Sequence, residues 1–240
     1  MVAVGKERSD QIIEILLESI VRIPKALPIN FENRDYALAV YNVKNQAEAY
    51  VELGVLRWRQ GIDPRPDFAS AISTYGEAVA LAQKHEVPRS EFTLCPLTYT
   101  AFSLMDQHTE LYFQHPLDRL SIRRYPIYEH CLCHWLHGHE PDEPVIKLLE
   151  WHLSKKPILY DDVFRNYFQL LGKWPTDKDR ATLAGEAESY WLKRKTSRHY
   201  VESDSIDGHG DYNDIYVDIR LSAVMKKIGW TGESIHRWVW

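Results

Sequence analysis

The chain has 240 residues, 45% hydrophobic and 26% charged, with eight Trp, fourteen Tyr and seven Phe, a composition that excludes a disordered protein. Eleven Gly and twelve Pro exclude collagen-like and low-complexity classes, and no apolar stretch approaches the ~20 residues needed to span a bilayer. A formal net charge of −5 excludes a whole-chain basic field for nucleic acid.

The dominant period along the chain is helical. Behind a Ser9-Asp10 cap, Ile12, Leu16, Ile20 and Ile23 repeat at three- and four-residue steps, and Pro24 and Pro28 are expected to end that helix. Tyr36, Val40, Val43, Ala47, Tyr50, Gly54 and Trp58 then form one stripe, which predicts a long helix from Asn33 to Gln60. The loop Gly61 to Asp67 precedes a helix carrying Phe68, Ile72, Tyr75, Val79 and Ala82. Further helices are predicted at 91–113, 119–137, 142–154, 159–171, 176–195 and 214–228, each after a Pro or Gly break. Asp142 and Thr176 are candidate N-caps, Thr176 with Asp179 approximating a capping box. Strand signals at 200–202 and 215–217 are short and flanked by acids. The expected fold is therefore all-α, a single antiparallel helical bundle over 1–240.

Tyr50, Leu53 and Gly54, followed by Ala71, Tyr75 and Ala78, resemble the paired helices of a tetratricopeptide repeat. The interval between them is longer than in that repeat, and no second copy follows at its roughly 34-residue period, so one close-packed hairpin is expected. If it were an adaptor, its peptide-binding face would lie around Tyr50, Trp58 and Tyr75.

Two patterns invite chemistry. His130, His134 and His137 fall at i, i+4 and i+7 on one helix with Cys133 beside them, a spacing at which imidazole and thiolate can hold zinc. Leu132, Trp135 and Leu136 make the same helix a packing element, and the pattern is neither H-E-x-x-H nor paired C-x-x-C. No metal or cofactor is assigned, and a metal-dependent enzyme is kept only as an alternative. No nucleophile elbow, phosphate loop or dinucleotide fingerprint occurs, so no catalytic residue is assigned. Trp58, Trp135, Trp151, Trp174, Trp191 and Trp230 lie in or beside helical patterns and read as core anchors.

The second pattern is charge. Between His199 and Ile219 stand Glu202, Asp204, Asp207, Asp211, Asp214 and Asp218, with no Lys or Arg. Like charges held close repel, and a cationic partner would relieve that repulsion and be steered by the field. Tyr212 and Tyr216 offer rigid contact area beside them. These eight residues are the candidate partner-binding set. The spacing of Asp207, Asp211 and Asp214 does not match a calcium-binding EF-hand loop.

Three cysteines, Cys131 and Cys133 among them one residue apart, make no disulfide framework and suggest a reducing compartment. The first residues carry no apolar core after their charges, so no signal peptide is read and a cytoplasmic location is expected.

The closing sequence Leu221-Ser-Ala223-Val-Met225-Lys-Lys-Ile228-Gly229-Trp230, a Glu233-Ser234 turn and Ile235-His-Arg237-Trp238-Val239 resemble the end of the immunity protein 49 family of bacterial polymorphic toxin systems. Arg57-Trp58-Arg-Gln-Gly61 and Phe68-Ala-Ser-Ala71 resemble that family's middle. The resemblance implies an all-helical cytoplasmic antidote that binds and blocks a cognate protein toxin without catalysis, with no nucleic-acid or membrane partner. The acidic set as its contact surface rests on charge and not on the resemblance. The Trp238-Val-Trp240 end either packs back or docks a partner.

Overall fold

Helix is the only regular structure among the described residues, which are 2–88, 94–107, 124–155, 161–195 and 219–231 of a computed structural model. In chain order these residues form α1 (Val2–Glu32), α2 (Tyr36–Arg59), α3 (Arg65–Lys84), α4 (Pro96–Leu104), α5 (Arg124–Leu136), α6 (Glu143–Leu153), α7 (Asp161–Leu170), α8 (Arg180–Lys195) and α9 (Ile219–Lys227). The fold is all-α, as the periodicity predicts. Contacts divide the chain into two compact units, Met1–Tyr112 and Phe113–Trp240.

In the first unit α2 touches α1, α3 and α4. Five residues of its predicted stripe, Val40, Val43, Ala47, Gly54 and Trp58, are buried, Tyr36 and Tyr50 are half-buried, and Ala39, Val51, Leu53, Val55 and Leu56 off the stripe are buried as well. Asp35 caps it, its carboxylate accepting from Leu38 N at 3.0 Å. The α2–α3 hairpin packs closely because its contact residues are small. A Cβ on Gly54 would stand 2.7 Å from Cε1 of the wholly buried Phe68, so the two helices approach to a distance that only glycine allows. Arg57 donates to Asp67 at 2.7 Å beside that contact. Burial nevertheless raises the Asp67 carboxyl above its ordinary range, Arg57 only partly offsetting the cost of desolvation.

The first helix departs from expectation. Pro24 and Pro28 lie inside α1, which continues to Glu32. Pro24 has no N–H to give the carbonyl of Ile20, four residues back. The Gln46 side chain on α2 supplies the missing donor, its Nε2 donating to Ile20 O at 3.1 Å. A tertiary hydrogen bond thus replaces the lost helical one, and Ile20 stays packed on Ala49 and Leu53.

In the second unit α5 touches α6, α7 and α9, and α8 packs on α7. Every residue from 127 to 137 is buried. Tyr128 meets Phe164 at 5.3 Å and Trp135 meets Phe168 at 4.9 Å in a T-shaped contact, which joins α5 to α7. Gly138, at φ +82°, ends α5 in a left-handed turn, with His139 N donating back to His134 O at 2.9 Å. Trp135 Nε1 donates to Glu140 at 2.9 Å, and Lys173 pairs with the same carboxylate.

Two local expectations, the cap of α8 and the burial of Trp151, are corrected, whereas Asp142 holds the N-cap position expected of it. The cap of α8 is Asp179 and not Thr176: Asp179 Oδ1 accepts from Thr182 N at 2.7 Å, while Thr176 Oγ1 accepts from Lys178 N in the preceding turn. Asp142 stands at the N-cap of α6 without a side-chain capping bond. Trp151 is no core anchor: it is 54% exposed, with Lys155 over its ring. Trp58 and Trp135 are buried as expected, and Trp174 and Trp230 are half-buried.

Candidate polar centre of the second unit

A helix surrounded by neighbours takes its polar residues inside. On α5 these are Glu129, His130 and His134, with His137 in the turn that follows, and all four are buried. The i, i+4 spacing puts the His130 and His134 rings 4.3 Å apart. His152, from α6, is buried as well, and the ring of Tyr128 meets it edge-on at 6.3 Å.

Sequence reasoning missed the partner of Glu129. Arg220, in the first turn of α9, places Nε 2.6 Å from Glu129 Oε1, and both side chains are largely withdrawn from solvent. The pair is distant in sequence, and only the single cation directly downstream of the acidic run hinted at it. Around it α9 is apolar and buried, with Ile219, Leu221, Val224 and Met225 against the unit. The ion pair therefore fixes where α9 sits on α5, and an attraction in low dielectric offsets the desolvation of two charges.

The His134 imidazole is held neutral. Burial, and then the neighbouring His130 ring, push His134 down to about 3, with His139 and His137 adding smaller effects. Burial pushes the Cys131 thiol up, which keeps it a thiol and not a thiolate at neutral pH. Cys133 is buried too. Among the described residues no group of three or more His, Cys, Asp or Glu side chains is placed to hold a metal ion. His130 and His134 on α5 and His137 just after it are all buried, with the first two rings against each other. The chemistry of this centre is the neutral imidazole of His134 and one compensated charge pair, a means of fixing α9.

The candidate partner-binding residues Glu202, Asp204, Asp207, Asp211, Tyr212, Asp214, Tyr216 and Asp218 lie outside the described residues, as do Trp238 and Trp240. Their flanks are described: α8 ends at Lys195, and α9 begins at Ile219, which is wholly buried. On the alternative adaptor face, Trp58 and Tyr75 are buried core residues and Tyr50 packs toward α1, so these rings serve the fold of the first unit. No helix of the described residues is long and apolar enough to cross a membrane.

Two consequences are measurable. Arg220→Met, which strands the Glu129 carboxylate, lowers stability by about 3 kcal/mol in urea unfolding, and adding Glu129→Gln recovers part of that loss. Equal stability of wild type and Arg220→Met would show that the pair holds nothing. The second concerns pH. Between the ordinary histidine value of 6.5 and about 3, the unfolded chain binds a proton at His134 that the folded chain refuses. Stability therefore falls on acidification across that window, by at most about 1.4 kcal/mol per pH unit. The urea midpoint drops from pH 6.5 to pH 4, and His134→Gln flattens the slope. Parallel profiles for the two proteins contradict the burial of a neutral His134.

Set beside known proteins, the chain finds no matching family model, no matching curated protein and no matching solved structure.

Proposed function

We propose that the chain is a non-enzymatic immunity protein, an antitoxin that binds a cognate bacterial toxin through the acidic sequence between α8 and α9. The observation that carries this reading is the charge distribution. Six carboxylates stand between His199 and Ile219 with no cation, while the whole chain has a net charge of only −5. Folding alone gains nothing from such segregation, whereas a basic partner relieves the repulsion and is drawn in by it. A toxin that acts on nucleic acid needs a basic cleft for phosphate, and a carboxylate-rich segment can occupy that cleft in its place.

The buried centre of the second unit supports the same reading from the other side. Binding is efficient when a contact segment is held in place beforehand. Asp218 is followed directly by buried Ile219 and by Arg220 on Glu129, so the acidic sequence runs into a fixed point of the unit. The resemblance of Leu221 to Trp230 to the end of the immunity protein 49 family agrees with an antidote role. A cytoplasmic location accompanies that role.

The test is capture of the partner from the native host with a tag other than polyhistidine, since eleven histidines bind nickel nonspecifically. One stoichiometric protein released by raised salt is expected. Converting Asp207, Asp211 and Asp214 to Lys leaves the thermal melt unchanged and slows association about tenfold or more at low salt. Undiminished binding by the triple variant would remove the acidic segment from the interface, and many substoichiometric partners would favour an adaptor.

A further inference from the structure

We propose that the cleft between α7 and α8 binds a carboxylate-bearing ligand, with Arg165 receiving the carboxylate and the polar side chains of the two walls receiving its flanking groups. The site uses none of the residues of the acidic segment, and the proposal stands whether or not the chain neutralises a toxin.

The cleft has a volume of about 680 Å³, within the roughly 300–1,000 Å³ range of ligand sites. Its walls are polar at helical spacing. On α7 the lining positions are 162, 165, 166 and 169, and on α8 they are 182, 185, 186 and 189. The apolar stripe of α7, with Val163, Phe164, Tyr167 and Phe168, is buried away from it. Asn166, Thr182 and Ser189 thus offer an amide and hydroxyls along a groove where a close-packed helix pair would set apolar side chains, while the Gln169 amide donates to Pro175 O at 3.0 Å and leaves its oxygen for the site's polar lining.

Two residues give the groove its character. Arg165 is half-buried, with Nη2 donating to Leu153 O at 3.1 Å, which holds the guanidinium in place. Its Nε–H is buried without an acceptor, and among the described residues no carboxylate pairs with it. A half-buried guanidinium with an unused buried N–H, and with no carboxylate paired to it among the described residues, favours an anion that accepts hydrogen bonds. The other lining cation, Lys178, is already taken by Glu186 at 2.6 Å. Glu186 and Asp162 on the walls disfavour a dianion such as phosphate, so a singly charged carboxylate suits the charge balance.

Gly185 is the second residue. It lies in the interior of α8, where glycine costs about 1 kcal/mol relative to alanine. Its φ is not positive, and a Cβ there would meet nothing within 4 Å, so neither a turn nor a close approach requires it. What the missing side chain leaves is open space over the wall of the cleft.

The test uses the full chain, ¹⁵N-labelled and observed by NMR, with three probes: acetyl-Gly-Glu-Gly-amide, its Gln counterpart and free glutamate. Saturable shifts confined to α7 and α8 are expected with the Glu peptide and not with the Gln peptide. Arg165→Gln and Gly185→Gln each weaken binding about tenfold or more. At Gly185 an added Cβ meets nothing within 4 Å and glutamine suits a helix interior better than glycine, so an unchanged thermal melt is expected of Gly185→Gln and it decides the matter even if Arg165→Gln loosens α7. Free glutamate binding as well as the peptide would support a small metabolite as the natural source. Binding of the peptide alone would support a protein segment. Absence of saturation, equal binding of the Gln peptide, or undiminished binding by Gly185→Gln overturns the proposal.

Discussion

A helix with no solvent face must carry its polar side chains inward, and α5 is such a helix. Its burial from residue 127 to 137 brings Glu129 into the interior, and a buried carboxylate requires a counter-charge. Arg220 provides it and brings α9 with it. The His134 imidazole is held neutral by the same enclosure, and the Cys131 thiol is forced to keep its proton. One packing decision thus sets the protonation states of His134 and Cys131 and the docking of the last described helix. Such a pair contributes placement more than stability, because well-packed apolar residues of similar volume fill the same space at less desolvation cost. The first unit uses a milder version of this plan around α2, where the enclosed polar group is Asp67 with Arg57.

What the sequence made legible follows from range. Helix identity is local: the stripe from Tyr36 to Trp58 needs only a 3.6-residue period, and most of its residues are buried on α2. The smallness of Gly54 and Ala71 also signalled a tight hairpin before any contact was known. The continuation of α1 through Pro24 was not legible, because the bond that compensates it comes from Gln46 in another helix. The cap of α8 was misplaced by three residues, since Thr176 and Asp179 both suit a helix start and only the backbone path selects between them.

The site followed the same division. His130, His134 and His137 stood out as one face of a helix, yet a face has meaning only where the opposite side meets water, and α5 has no such side. Trp151 failed as a core anchor for the converse reason: on α6 the buried residues are Val145, Leu149, His152 and Leu153, and Trp151 falls on the far side. The acidic run was fully visible as charge, whereas the pairing of Arg220, which follows it in sequence, depends on Glu129 far back in the chain. The α7–α8 cleft left a single trace in the sequence, a glycine inside a helix.

The most direct measurement of this account is amide hydrogen exchange across the whole chain. If α5 is the enclosed element that organises its unit, its amides exchange only through unfolding of that unit, more slowly than those of α6 and α8, and α9 follows α5 closely. Exchange of α5 as fast as α6, or of α9 independently of α5, would contradict it.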